Sequence, residues 1–204
     1  MVASTDGVEI ALHDLGGSGP PLIVLHATGF HGRCYSAIAE ELRDHFHVWA
    51  PDLRGHGDSA TPDMTLPWSG MADDALAVID HLGIHEPIRA VGHSMGGATV
   101  VNAELRRPGT IRAAWLFEPI IFPPTDAAER PNPMAAMARR RRHDFASYEA
   151  VIERYAGRAP FAHVTPRCLR DYVVHGFTAM ADGVTLKTSG EQEARVFEGI
   201  DLEL

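Results

Sequence analysis

Cysteine is nearly missing from this 204-residue chain: Cys34 and Cys168 are the only two, and neither lies in a CxxC or other metal-ligating spacing. That excludes a disulfide framework and a thiolate metal site, and it makes a reducing cytoplasm the expected compartment, with both cysteines as packing residues. Long apolar runs are absent as well; nothing approaches the roughly 20 residues needed to cross a bilayer. The opening Met1-Val2-Ala3-Ser4-Thr5-Asp6 has no basic stretch followed by an apolar one, so no signal peptide is read there. Positive charge is in deficit. Eighteen Lys and Arg against 27 Asp and Glu leave a net charge of −9, which argues against nucleic acid or an anionic membrane as the main partner. There is no Walker loop, dinucleotide fingerprint, metal motif or internal repeat. What is present, at 45% apolar residues, is enough to build one domain with a large core.

The first half of the chain alternates strand and helix patterns. Val8–His13 reads as a first strand, and Gly16-Gly17-Ser18-Gly19-Pro20-Pro21 as a turn. Leu22-Ile23-Val24-Leu25, Val48-Trp49-Ala50 and Ile111–Phe117 are short apolar runs of the kind that form strands buried on both faces. Between them Tyr35–Leu42 looks helical. Met71–Leu82 places Met71, Ala75, Val78, Ile79 and Leu82 on one helical face, with Gly83 as the stop. This alternation predicts a parallel sheet covered on both sides. The pattern changes after Glu118. Pro119, Pro123, Pro124, Pro131 and Pro133 mark a linker, and helices are expected near 134–145, 147–155 and 166–180, the last with Thr165 as N-cap and Pro166 as first residue.

The chemistry concentrates at Gly92-His93-Ser94-Met95-Gly96-Gly97. An apolar strand leads into it and a helical run carrying Ala98, Val101 and Leu105 leads out. A Gly-x-Ser-x-Gly turn in that context holds the serine hydroxyl exposed at the top of a sheet, and the flanking glycines are needed because the turn leaves no room for side chains. Ser94 is therefore the candidate nucleophile. It needs a base to take its proton.

With that elbow in register behind the His26-x-x-Gly29 strand end and the Asp52-x-Arg54-Gly55-His56-Gly57-x-Ser59 loop, and ahead of a cap after Phe117, the chain resembles the α/β-hydrolase superfamily, in the branch of small esterase-like serine hydrolases with a helical cap. The resemblance covers nearly the whole chain. It implies an incomplete α/β core at 1–118, a helical cap at 119–185, and a return segment at 186–204 that stops short of the last two strand–helix units of the fold. It also implies an oxyanion hole formed by the backbone N–H groups of Thr28 and Met95, with Ala27 standing where the family usually has glycine. His26 becomes a structural hydrogen-bonding residue, and the Arg54, His56, Asp58 cluster a structural loop. No cofactor is implied. The expected partner is a small ester, lactone or thioester, with a C–C bond hydrolase or cofactor-free perhydrolase as related alternatives and oligomeric state left open.

The triad order of this family is Ser, then acid, then His. Glu118, at the end of the Ile111–Phe117 strand, is the candidate acid; otherwise it is a strand-end carboxylate. The histidines after Ser94 are His143, His163 and His175, all in the cap region and none following an apolar strand, so the base is expected beyond Leu204. The chain is thus expected to be a fragment or a truncated reading frame, weak or inactive as it stands. A non-catalytic ligand-binding protein on the same scaffold is the competing reading. Phe30, His93 and Trp68 are candidates for the substrate pocket, and Met64, Met134, Met137, Phe161, Phe177 and Met180 for an apolar acyl pocket under the cap. Arg139-Arg140-Arg141-Arg142 is read as the solvated face of a cap helix, or else as a site for an acidic group.

Overall fold

The computed structural model describes residues 1–62, 66–121 and 132–200. A short antiparallel pair, β1 (Val2–Ala3) and β2 (Glu9–Ile10), precedes a five-stranded sheet. The sheet contains β3 (Leu12–Gly16), β4 (Pro21–Leu25), β5 (His47–Pro51), β6 (Ile88–His93) and β7 (Ile111–Phe117), in the order β3-β5-β4-β6-β7. β3 is antiparallel to β5, and every other pairing is parallel. The helices α1 (Ser36–Leu42), α2 (Trp68–His81) and α3 (Met95–Arg106) supply the crossovers.

The apolar run of β4 explains the layering. Successive side chains of a strand point to opposite faces. Ile23 and Leu25 pack with Met71, Ala75 and Val78 of α2 and Met95 and Ala98 of α3. Leu22 and Val24 join Val48, Ala50 and Val91 on the opposite face, against Tyr35 and Ala39. Each such side chain, fully buried, stabilises the fold by about 1.5–3 kcal/mol. The expected strand over Val8–His13 is broken at Ala11, because the Ala11 N–H bonds Ser59 Oγ (2.8 Å) and its carbonyl accepts from Asp52 N–H (2.8 Å). The Asp52–Ser59 loop thus claims the backbone groups that would have continued the strand.

The region from residue 132 departs from the expected all-helical cap. It contains α4 (Pro133–Arg139), β8 (Asp144–Phe145), α5 (Tyr148–Ala156), α6 (Pro166–Gly176), β9 (Phe177–Met180), β10 (Gly183–Leu186) and α7 (Gly190–Glu198). The first expected helix ends at Arg139 and the last at Gly176. The residues beyond each stop, Asp144–Phe145 and Phe177–Met180, join an antiparallel sheet of order β8-β10-β9. Caps fix the helix starts: Asn132, Ser147 and Thr165 each accept from a first-turn N–H, and Ser189 with Gln192 forms a capping box for α7.

The stretch expected to return toward further core units is this helix, and it packs on the sheet domain. Val196 is fully buried in the α2–α3 side of the core, and its carbonyl accepts from Trp68 Nε1 at 2.8 Å. α6 closes the other face with Leu169, Tyr172 and Val173. Pro123, Pro124 and Pro131 of the expected linker, and Met64, fall outside the described residues. Among the described residues no helix is long and apolar enough to cross a membrane.

Candidate active site

β6 runs into α3 through Ser94, whose φ of 53° and ψ of −115° lie where side chains rarely go. Three close approaches explain the glycines around it. A Cβ on Gly92 would stand 2.6 Å from Gly96 O, and one on Gly97 would stand 2.8 Å from Pro119 Cβ. A Cβ on Gly96 would strike the Leu25 carbonyl at the end of β4. The elbow is held from behind by Ser94 N–H donating to Phe117 O (2.9 Å) and Ile120 N–H donating to Ser94 O (3.2 Å).

The loop after β4 comes to the same place. Phe30 N–H donates to Ala27 O at 3.0 Å, closing a turn with Gly29 at φ 75°. Thr28 Oγ1 donates to Met95 Sδ at 3.3 Å, so the two expected oxyanion residues lie against each other. Met95 opens α3, where first-turn N–H groups have no acceptor one turn back and the helix dipole favours negative charge. Its side chain is buried in the core; only its backbone is available for this role.

Buried polar side chains brace this loop. His26 Nδ1 bonds Ala27 O (2.8 Å), and its Nε2 accepts from Leu53 N–H (2.9 Å). That fixes a neutral tautomer, and burial, with His56 beside it, lowers its pKa to about 3. The Tyr35 hydroxyl accepts from Ala27 N–H (3.3 Å) and bonds His93 Nδ1 (2.8 Å), so one phenol spans the loop after β4 and the elbow. Tyr172 of α6 donates to Gly29 O at 3.3 Å and also meets Arg141, which pairs with Glu193 at 2.7 Å. Tyr35 and Tyr172 carry no motif that marks them in sequence, and Arg141 is marked only as one of the arginine run. Their role comes from contacts made across the fold.

His93 lies beside Ser94 with Tyr35, Phe30 and Phe117 around its ring. Burial lowers its pKa, and the charge of Glu118 partly opposes that. Glu118 is exposed at the end of β7, one residue past the Phe117 that pairs with His93 across the strands. Its φ of 46° makes it, with Ser94 and Asp6, one of three non-glycine residues at positive φ among the described residues. Phe161 stacks on Phe30 at 5.7 Å and adds to the aromatic wall.

Other expected pocket residues lie elsewhere. Trp68 is in the core, 1% exposed, with its indole N–H committed to Val196, so it presents no surface to a ligand. Phe177 is likewise core, while Met134, Met137 and Met180 face solvent. The arginine run does not form one helix face, because α4 ends at Arg139. Arg139 pairs with Glu191 and Glu198, and Arg141 turns inward to Glu193. No histidine among the described residues hydrogen-bonds the Ser94 hydroxyl. His143 Nε2 accepts from Gly190 N–H, His163 is exposed, and His175 faces the His31 ring.

The Asp52–Ser59 loop is structural in its bonding. Arg54, 1% exposed, is held by both oxygens of Asp74 (2.9 and 2.8 Å) and by Asp6. Burial raises the Asp52 pKa, but His13, His26 and the Asp58 N–H outweigh it and hold the carboxylate well below its ordinary range. His13, Asp52 and Asp58 bring three ligand atoms within 4.8 Å of one another. Arg33 on His13 Nδ1, Gly32 N–H on Asp52 Oδ1 and Lys187 on Asp58 Oδ1 (2.5 Å) bond these residues from outside, two of those partners are cations, and His13 Nε2 faces Asp52 Oδ2 at 3.0 Å.

A mostly parallel sheet in which β6, the strand beside the central β4, turns through a strained serine into a helix has the strand–turn–helix form of one hydrolase class. The chain belongs to the α/β-hydrolase family, whose model matches residues 22–192. It is 37% identical over 99 residues to the pimeloyl-[acyl-carrier protein] methyl ester esterase of Chromobacterium violaceum, a match covering 48% of this chain and 36% of that one. It is 26% identical over 188 residues to the 2-(acetamidomethylene)succinate hydrolase of Mesorhizobium japonicum, covering 92% of this chain and 66% of that one. In fold it superposes on a crystal structure of E-2-(acetamidomethylene)succinate hydrolase with a TM-score of 0.81 at 23% identity, over 98% of this chain and 72% of the other. The chain therefore spans about a third to two thirds of the length of these curated relatives.

Proposed function

We propose that this chain carries the nucleophile and oxyanion hole of a serine hydrolase acting on a small ester, lactone or thioester. The observation that carries the reading is the strained Ser94 at the start of α3, with Thr28 packed against Met95 beside it. In this reading Ser94 Oγ bonds to the substrate carbonyl carbon as its proton passes to a base. The carbonyl π electrons move onto oxygen, and the N–H groups of Thr28 and Met95 receive that oxyanion, each worth on the order of 3 kcal/mol. Collapse expels the alcohol or thiol and leaves an acyl-serine for water to cleave. Glu118 is the acid that would orient the base. The aromatic wall of Phe30, His93, Phe117 and Phe161 would take the acyl group. The esterase and hydrolase names of the relatives support hydrolysis and leave open ester, C–C and perhydrolytic variants of it.

A second reading, a ligand-binding protein on the same scaffold, is favoured by one fact: no described histidine bonds Ser94. Incubation with a fluorophosphonate probe, followed by intact mass, separates the two. The hydrolase reading expects one adduct on the wild type and none on Ser94→Ala. p-Nitrophenyl acetate turnover by this chain is expected to be slow, within the about 10³–10⁴-fold over water that binding and an oxyanion hole give without a complete triad. Absence of labelling with retained ligand binding would establish the second reading.

A further inference from the structure

Arg142, Arg154 and Arg158 line one surface groove of about 490 Å³, together with Phe145, Glu153 and Gly157. None of these residues belongs to the elbow or the oxyanion loop, and the Phe145, Tyr155 and Phe161 rings pack between the groove and Phe30. The groove is out of character for this molecule. The chain is acidic, and the neighbouring Arg139 and Arg141 each have a carboxylate. Arg142, Arg154 and Arg158 are exposed, and among the described residues none has a carboxylate within ion-pair distance.

Arg142 is also held in place. Its Nε donates to Asp144 O at 2.7 Å, its guanidinium lies 4.6 Å over the Phe145 ring, and among the described residues neither terminal nitrogen has a hydrogen-bond acceptor. Glu153 and the C-terminal dipole of α5 offset about half of the three positive charges. The remainder complements a phosphate group, which carries about −1.5 to −2 at neutral pH. Guanidinium forks bind such oxygens in bidentate fashion, which an ammonium cannot do. Gly157 is exposed with open space where a side chain would stand, so nothing blocks the groove at that point.

We propose that this groove is a binding site for a phosphate- or diphosphate-bearing small molecule, separate from the elbow. The site stands whether or not Ser94 is a nucleophile, because its test reads binding alone. Inorganic pyrophosphate is titrated calorimetrically into the wild-type chain at low salt, beside Arg154→Ala/Arg158→Ala, Arg142→Ala and the control Arg140→Ala, an exposed arginine outside the groove. All four proteins are first matched by circular dichroism. The expected result is saturable binding of one equivalent, weakened at least about tenfold in the groove variants and unchanged in the control. Non-saturable heats, full affinity in the groove variants, or an equal loss in Arg140→Ala would each overturn the proposal; the last would mean diffuse attraction to basic surface.

Discussion

Three buried histidines must stay neutral for the loops around Ser94 to keep their shape. Burial lowers the pKa of His26 to about 3 and that of His31 to about 4, and it lowers His56 as well. In the unfolded chain each titrates near 6.5. Between those values the unfolded state binds protons that the folded state refuses, so their stabilisation is complete above about pH 6.5 and is lost as pH falls toward 3–4. His26 and His31 each contribute a slope of about 1.4 kcal/mol per pH unit in that window, and His56 acts in the same direction. Urea midpoints are expected to be flat from pH 7 to 8 and to drop steadily below 6.5. A flat profile down to pH 4 would show that the His26–Leu53 and His31–Tyr172 bonds are not what the fold depends on. Among the residues, Ser94 and its glycines were legible because the elbow spacing is a backbone requirement. Trp68 was not: an aromatic at a helix start reads alike whether it faces a pocket or the core, and the acceptor that decides it lies 128 residues away.

At the level of elements, the sheet was readable because each of β4 to β6 is an apolar run with a helix pattern after it, and β7 is one more apolar run. The second half was harder. β8 has two residues, and β9 follows α6 with Gly176 as the only punctuation. The hairpin signal was Asp182-Gly183 between Met180 and Val184. α7 hides because few of its residues are apolar, and its readable mark is the Ser189–Gln192 capping box. Ser189→Ala is expected to cost about 1 kcal/mol, typical of a lost N-cap. Because Val196 and Ala194 of α7 are fully buried, the loss should appear in global denaturation as well as in amide exchange along Gly190–Glu198. Fraying without any shift in midpoint would mean that α7 docks independently of the core.

For the molecule as a whole, the open side of β7 is the principal liability. Among the described residues β7 pairs only with β6, and it leaves Trp115 61% and Phe117 48% exposed. An apolar strand presenting free N–H and C=O groups is a template for another chain. Light scattering of this chain is expected to show self-association that grows with concentration and recedes in Trp115→Lys, where a charge breaks the template. Equal association in that variant would move the sticky surface elsewhere, with the α3–β7 groove of Val100, Val101 and Leu105 as the next place to look.

The bond from Trp68 to Val196 also has a meaning in time. A ribosome adds roughly 5–20 residues per second. The indole therefore waits on the order of ten seconds, longer once the exit tunnel is counted, before its acceptor is synthesised. During that interval the α2 side of the sheet has no lid over its largest side chain, and a nascent-chain chaperone has its clearest opportunity to bind there.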